Sequence, residues 1–281
     1  MSLELLIRLA CFVGVLLIML AWETRQPKRT PAVAKSQRWL HNLSLLGLAT
    51  VLVRLLIPAG AVGAALWAQS QQLGLWHWLS APYWLAFVGS LLVLDLSIYW
   101  QHRIFHHVPW LWRLHRVHHA DPDFDSSTGL RFHPLEIMLS MLIKIAVVVL
   151  LGAPLWAVIV FEVVLNATSL FNHGNVALPR WLERPLRYLL VTQEMHRIHH
   201  SQVMRETNSN YSFNLSIWDR LFNSYTEQAE AGSDGIQIGL RNYPDQRETT
   251  RLPGMLMMPF SQPKYPDDQS DHDLSEHSKL R

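Results

Sequence analysis

The sequence predicts an all-α integral membrane protein, with about three spans plus a helical hairpin and a helical cap at the cytoplasmic face that holds a histidine-rich dimetal site. Three observations lead there. Almost half of the 281 residues are hydrophobic and only 16% are charged, a balance suited to a chain partly dissolved in lipid. The apolar residues gather into runs of spanning length. Fifteen histidines are present, and eleven of them lie between positions 102 and 200.

Composition also removes several classes. A formal charge of +2 with no basic stripe interleaved with aromatics gives no reason to expect nucleic acid as a partner. The single cysteine, Cys11, excludes intrachain disulfides and thiolate metal sites. Twelve tryptophans, among them Trp22, Trp67, Trp76, Trp78, Trp84, Trp100, Trp110 and Trp112 at the edges of apolar runs, suit the headgroup level of a bilayer.

Residues 3–22 form a first spanning segment, interrupted by Glu4 and Arg8; without a basic leader and a small-residue cleavage site it reads as a retained anchor. A second run covers about 43–66 and contains Arg54, and a third covers about 82–100 and contains Asp95. The stretch from Leu135 to Leu170 is 36 residues long, against the ~20 needed for one crossing. Gly152-Ala153-Pro154 divides it into a hairpin. Arg25, Lys28, Arg29, Lys35 and Arg38 lie between the first two runs, whereas 67–81 contains no Lys or Arg; this bias places the first loop and the catalytic face in the cytoplasm. Residues from about Trp181 to Tyr225 read as an amphipathic helical cap on the membrane surface. The domains are therefore an anchor and basic loop at 1–40, a catalytic domain at 41–262, and a polar, disordered tail at 263–281.

The histidines carry the chemistry. His102 and His106 are four apart; His115, His118 and His119 stand at i, i+3 and i+4; His196, His199 and His200 repeat that spacing. Residues three and four apart share a helix face, so each cluster aims its imidazoles at one point. Burying so many imidazoles is costly unless a common partner satisfies them. Eight cluster histidines, with His173 as a ninth, exceed the four ligands of a structural zinc site and suit two metals. Imidazole accepts iron, zinc and copper alike, so the ligand set alone leaves the element open. His41, His77, His272 and His277 stand outside the clusters and read as ordinary polar residues.

Asp95-x-x-x-Tyr99-x-x-His102-Arg103-x-x-His106, followed by Leu111-Trp112-x-x-His115-x-x-His118-His119, resembles the fatty acid hydroxylase and sterol desaturase superfamily. The likeness continues in Arg131-Phe132-His133-Pro134-Leu135-Glu136, His173-x-Asn175, His196-x-x-His199-His200, Asn208-x-Asn210-Tyr211 and Trp218-Asp219-Arg220-Leu221-Phe222, covering roughly residues 40–260. The resemblance implies a membrane-bound non-haem enzyme with two Fe2+ ions and O2 as co-substrate, hydroxylating or desaturating a lipid. Its matching positions make His102, His106, His115, His118, His119, His173, His196, His199 and His200 the metal ligands, with His107 and His133 as further possible ligands. His106 is preferred to its neighbour because its i+4 spacing keeps it on the face of His102. Ser169 and Asn172 stand where the fatty-acid 2-hydroxylase branch has a further histidine, which disfavours that branch. Asp95 and Tyr99 lie on the His102 face; the carboxylate is expected to accept the spare N–H of a ligating imidazole.

Each turnover of such an enzyme needs two electrons. With no G-x-G-x-x-G turn in the chain, an external donor such as a ferredoxin, a cytochrome or a reductase has to supply them. A His-rich metal transporter would carry its ligands near the midplane of the spans, and a membrane zinc hydrolase would carry H-E-x-x-H or a nucleophile motif; neither pattern is found here.

Overall fold

The computed structural model describes residues 3–264; the expected polar tail beyond Lys264, with His272 and His277, lies outside the described residues. Ten helices matter for the site: α1 (Leu3–Arg25), α2 (Lys35–Leu56), α3 (Gly60–Ser70), α4 (Leu75–Trp78), α5 (Tyr83–His107), α6 (Pro109–His119), α7 (Pro134–Leu151), α8 (Leu155–Asn172), α9 (Arg180–Leu186) and α10 (Gln193–His199). Among the described residues there is no β-strand, only two isolated bridges, Leu190 with Leu215 and Ser201 with Ile238.

Five helical segments are long and apolar enough to cross a membrane: Leu3–Arg25, Lys35–Trp78, Tyr83–His107, Pro134–Leu151 and Leu155–Asn172. The second is not one continuous helix. It breaks between Leu56 and Gly60 because Pro58 lacks the N–H that would continue the ladder, so α2 and α3 replace the single run expected at 43–66. The last two are the hairpin. Gly152 takes a left-handed φ of 64° at the C-cap of α7, and Pro154 precedes α8, a helix stop followed by a fresh start. A Cβ on Gly74 would lie 2.1 Å from the Gly152 nitrogen, so the hairpin turn sits directly on the segment between α3 and α4.

Leu94, Val148, Leu151, Val158 and Phe161 pack together in the bundle interior. Large apolar residues such as Leu6, Leu17, Leu55, Leu92, Leu142 and Val164 face outward, the inverse of a water-soluble surface. Trp67, Trp78 and Trp84 are exposed near one end of the bundle, and Trp110, Trp181 and Tyr188 on the segments after α5 and α8.

Charged residues at the other ends of the helices are tied together. The end of α1 reaches the end of α8, since Glu23 Oε1 accepts from Asn175 N at 3.0 Å. Arg38, in the first turns of α2, is fully buried and grips Asp121 and Asp125 at 2.7 and 2.8 Å. Burial alone would raise the Asp121 carboxyl, but the Arg38 guanidinium overrides it and holds the group at about 2. The loop between α6 and α7 is thereby fixed against α2. Residues 181–225, where a helical cap was expected, consist of short helices alternating with turns, because Pro185 and the polar stretch around Asn208–Asn214 interrupt the pattern.

Candidate metal centre

The ends of α5, α6 and α8 meet α10 and enclose two adjoining groups of imidazoles. One contains His102, His106, His115, His119 and His199; the other contains His118, His173, His196 and His200. Within each, one nitrogen per residue lies within 4.8 Å of the rest. The groups touch where the rings of His119 and His200 stack at 4.3 Å.

Local sequence explains the convergence. Pro109 opens α6 immediately after α5 ends, so the first and second clusters occupy successive helices joined by one residue. Thr192 caps α10, its side chain accepting from Met195 N, and the last turn of that helix delivers His196, His199 and His200. His173 is the C-cap of α8. Every one of the nine is buried except His106, which is half-buried.

In four of the rings Nδ1 is occupied and Nε2 is turned inward. His102 Nδ1–H donates to the carbonyl of Tyr211 at 2.8 Å, His199 to that of Ser209 at 2.7 Å and His173 to that of Ser169 at 2.7 Å. His115 Nδ1–H donates to Glu136 Oε1 at 2.6 Å. A carbonyl or carboxylate only accepts, so each neutral ring presents a lone pair at Nε2. The Nε2 atoms of His102, His115, His119 and His199 are buried with no partner, at a cost of about 1–3 kcal/mol each. In the second group the Nε2 atoms of His118 and His196 lie 3.1 and 2.8 Å from that of His173. Such spacing is about that of neighbouring donors on one ion with metal–nitrogen bonds of ~2.0–2.1 Å.

Burial disfavours the charged form throughout. It lowers His173 to about 4 and His199 to about 3, and it drives His118, His119, His196 and His200 well below their usual range, with neighbouring imidazoles adding to the effect. These rings are neutral at pH 7, the form a metal requires. Orphaned inward nitrogens, neutral rings and outward Nδ1 anchors together fit a pair of metal ions.

His107 and His133 stand outside both groups. His107 is exposed, and its Nδ1–H donates to the Arg103 carbonyl of its own helix at 2.7 Å. His133 is the N-cap of α7, accepting from Leu135 N at 3.2 Å, and its Nε2 lies 3.3 Å from the Leu256 carbonyl.

Asp95 does not accept from an imidazole, contrary to expectation. It accepts from Asn214 Nδ2 at 2.8 Å, Trp218 Nε1 at 2.8 Å and Leu215 N at 3.2 Å, because the 211–219 segment comes between it and the histidines. Asp219 receives Tyr211 N, Ser212 N and the Ser224 hydroxyl at 2.8, 3.0 and 2.8 Å, and burial raises it to about 6. Tyr99 shares a hydrogen bond with Ser224 at 2.8 Å. These residues act on the centre at one remove, by fixing the segment whose Tyr211 carbonyl orients His102.

The role of Glu136 escaped the sequence reading, although a carboxylate in the first turn after a His-Pro pair was visible. Arg38 with Asp121 and Asp125 escaped it too; the signal was an acidic run, Asp121, Asp123 and Asp125, directly after His119.

A helical bundle of membrane-spanning length that closes two all-histidine pockets at one end defines a class, the membrane-embedded histidine-box proteins. The fatty acid hydroxylase family model matches residues 87–224. Relatives include an ornithine lipid hydroxylase from Rhizobium tropici, 32% identical over 54% of this chain and 45% of its own length. The alkylglycerol monooxygenase of Homo sapiens is 28% identical over 59% of this chain and 33% of its own length. A fatty acid hydroxylase from a Lecanicillium species is 30% identical over 56% and 47%. The matched region, residues 87–224, belongs to the fatty acid hydroxylase and sterol desaturase superfamily. The chain aligns with less than half the length of these relatives. No solved structure matches it.

Proposed function

We propose that the protein is a membrane-bound oxygenase that hydroxylates a C–H bond of a lipid with O2, using two iron ions held by the nine clustered histidines. The observation that carries this reading is the pair of adjoining pockets with inward, unpartnered imidazole nitrogens, opening on an apolar cavity of about 560 Å³ lined by His102, His115 and His118. Imidazole accepts several metals; the choice of iron follows the family and the demands of the reaction, since activation of O2 is the chemistry that bound iron supplies.

The overall conversion is R–H + O2 + 2 e− + 2 H+ giving R–OH + H2O. The two electrons come from an external donor of the ferredoxin, cytochrome or reductase class. The chain's own residues do three things. The histidines hold the metals with neutral rings, Glu136 and the Tyr211, Ser209 and Ser169 carbonyls fix ring orientation, and Phe132 and Phe213 keep the cavity next to the centre apolar so that an alkyl chain displaces water. Hydroxylation is preferred to desaturation because the named relatives above are hydroxylases or a monooxygenase.

We place the catalytic end of the bundle in the cytoplasm, because Lys28 and Lys35 between α1 and α2 lie at that end, bonded to Glu194 and Glu23. The test is anaerobic purification followed by metal analysis and turnover with membrane lipid extract under 18O2. Two irons per chain and an 18O-labelled hydroxylated lipid are expected. Zinc alone, with no O2-dependent product, would overturn the reading.

A further inference from the structure

The cavity that begins at the histidines does not end in hydrocarbon. Its lining includes Arg8 of α1, Arg54 of α2, Lys144 of α7 and Glu162 of α8. Glu162 is buried, and its carboxylate oxygens are 2.8 Å from Arg8 Nη2 and 2.9 Å from Lys144 Nζ; Arg54 lines the same cavity. Glu4, one turn before Arg8, is not part of the lining. Three cations and Glu162 therefore share one region of a mostly apolar cavity wall, and the other lining carboxylate, Glu136, lies at the histidine end on His115. Charged side chains inside spans are expensive and face functional cavities, and one cation suffices to neutralise Glu162.

We infer that this cluster receives the anionic end of the substrate, so that the lipid is an acyl or alkyl chain bearing a carboxylate or phosphate, with its chain running toward His102, His115 and His118. The inference rests on the oxygenase reading for what happens at the other end. Position along the helices sets the reach. Lys144 is eight residues beyond Glu136 on α7, and Glu162 is eleven before His173 on α8, roughly 12–16 Å at about 1.5 Å per residue. An extended chain on the order of ten methylenes spans that gap, which puts oxidation near mid-chain. Lys144 and Arg8 hold Glu162 in place, while Arg54, with an exposed side chain at the rim, is positioned to meet an entering anion. A guanidinium takes carboxylate or phosphate in a two-pronged hydrogen bond.

The test is equilibrium binding to the purified, nanodisc-embedded protein, read by displacement of a fluorescent acyl probe, with octadecanoate, octadecyl phosphate, octadecanol and methyl octadecanoate as competitors. The two anions should bind at least tenfold more tightly than the neutral pair. Arg54→Gln should weaken the anions about tenfold and leave octadecanol unchanged, and Lys144→Gln should do the same where it folds. A preference for octadecanoate identifies a free acid and one for octadecyl phosphate a phospholipid-like head; both support the inference. Equal binding of charged and neutral probes, or an Arg54→Gln loss shared by octadecanol, overturns it. Because binding is measured without turnover, and metal content separately on the same samples, failure of the headgroup site and failure of the oxygenase reading give different results.

Discussion

The two imidazole pockets are built from the same residue type but are held in different ways. In the pocket of His102, His106, His115, His119 and His199, three rings are braced from behind, by the Tyr211 carbonyl, the Glu136 carboxylate and the Ser209 carbonyl. In the pocket of His118, His173, His196 and His200, only His173 has such a brace, on Ser169, whereas Nδ1 of His118, His196 and His200 is buried without a partner. The braced rings keep their Nε2 atoms apart and unpartnered; in the other pocket the Nε2 atoms of His118 and His196 crowd onto that of His173, while that of His200 has no partner. A ring whose far nitrogen is anchored is preorganised for metal, and an unanchored one depends on the metal for its position. The first pocket is therefore a rigid socket, and the second would be completed by an ion bound in it.

The largest effects should come from removing a histidine that belongs to one pocket only. His199→Ala and His196→Ala sit three residues apart on α10 and face different pockets. Each should lower turnover by at least about 100-fold, but metal analysis should separate them: His196→Ala retains close to one iron per chain in the braced pocket, and His199→Ala loses more. Equal residual iron in the two variants would break the distinction.

Glu136→Gln probes the one brace of the first pocket that comes from a side chain. The amide keeps the shape but offers a weaker acceptor to His115 Nδ1–H, so metal affinity or activity should fall on the order of 10–100-fold. An unchanged iron affinity, measured by competition with a chelator, would mean that the contact holds the helix and not the ring. Unmutated protein gives a smaller, kinetic version of the same comparison. With excess chelator, iron release should be biphasic, about half leaving several-fold faster, and the fast half should be the fraction already missing from His196→Ala. A single phase would show that the pockets act as one unit.

Much of this centre was legible because helical spacing decides which imidazoles share a face: the three boxes and the preference for His106 follow from it, while the hairpin break at Gly152 to Pro154 follows from the length of the apolar run and its Gly-Ala-Pro interruption. What was not legible are long-range pairings. Asp95 was expected on an imidazole because both lie on one face of α5, but a sequence has no means of announcing that Asn214 and Trp218 would fold in between. Arg38 and Asp121 are 83 residues apart, and their pairing depends on how α2 packs, which apolar periodicity does not specify. Arg54, Lys144 and Glu162 are all costly inside apolar runs, yet their positions along the chain do not show that Glu162 gathers Arg8 and Lys144.

The smallest expected effects fall on the two histidines outside both pockets. His133→Ala removes an N-cap from α7, worth about 1 kcal/mol, and should lower thermal stability slightly with iron content intact. His107 is a closer test, being adjacent to His106 in sequence and close to the centre in space. Neighbours on a helix project ~100° apart, so the face that carries His106 to His115, His119 and His199, at 5.0, 4.8 and 4.6 Å between ring centres, turns His107 to the surface. There its Nδ1–H already donates to Arg103 O, and substitution leaves no buried group unpaired. His107→Ala should keep full iron and turnover within a factor of about two, while His106→Ala loses metal from the braced pocket. An inactive, iron-poor His107→Ala beside an active His106→Ala would require α5 to be rotated by one residue at its end, and with it the assignment of the whole first pocket.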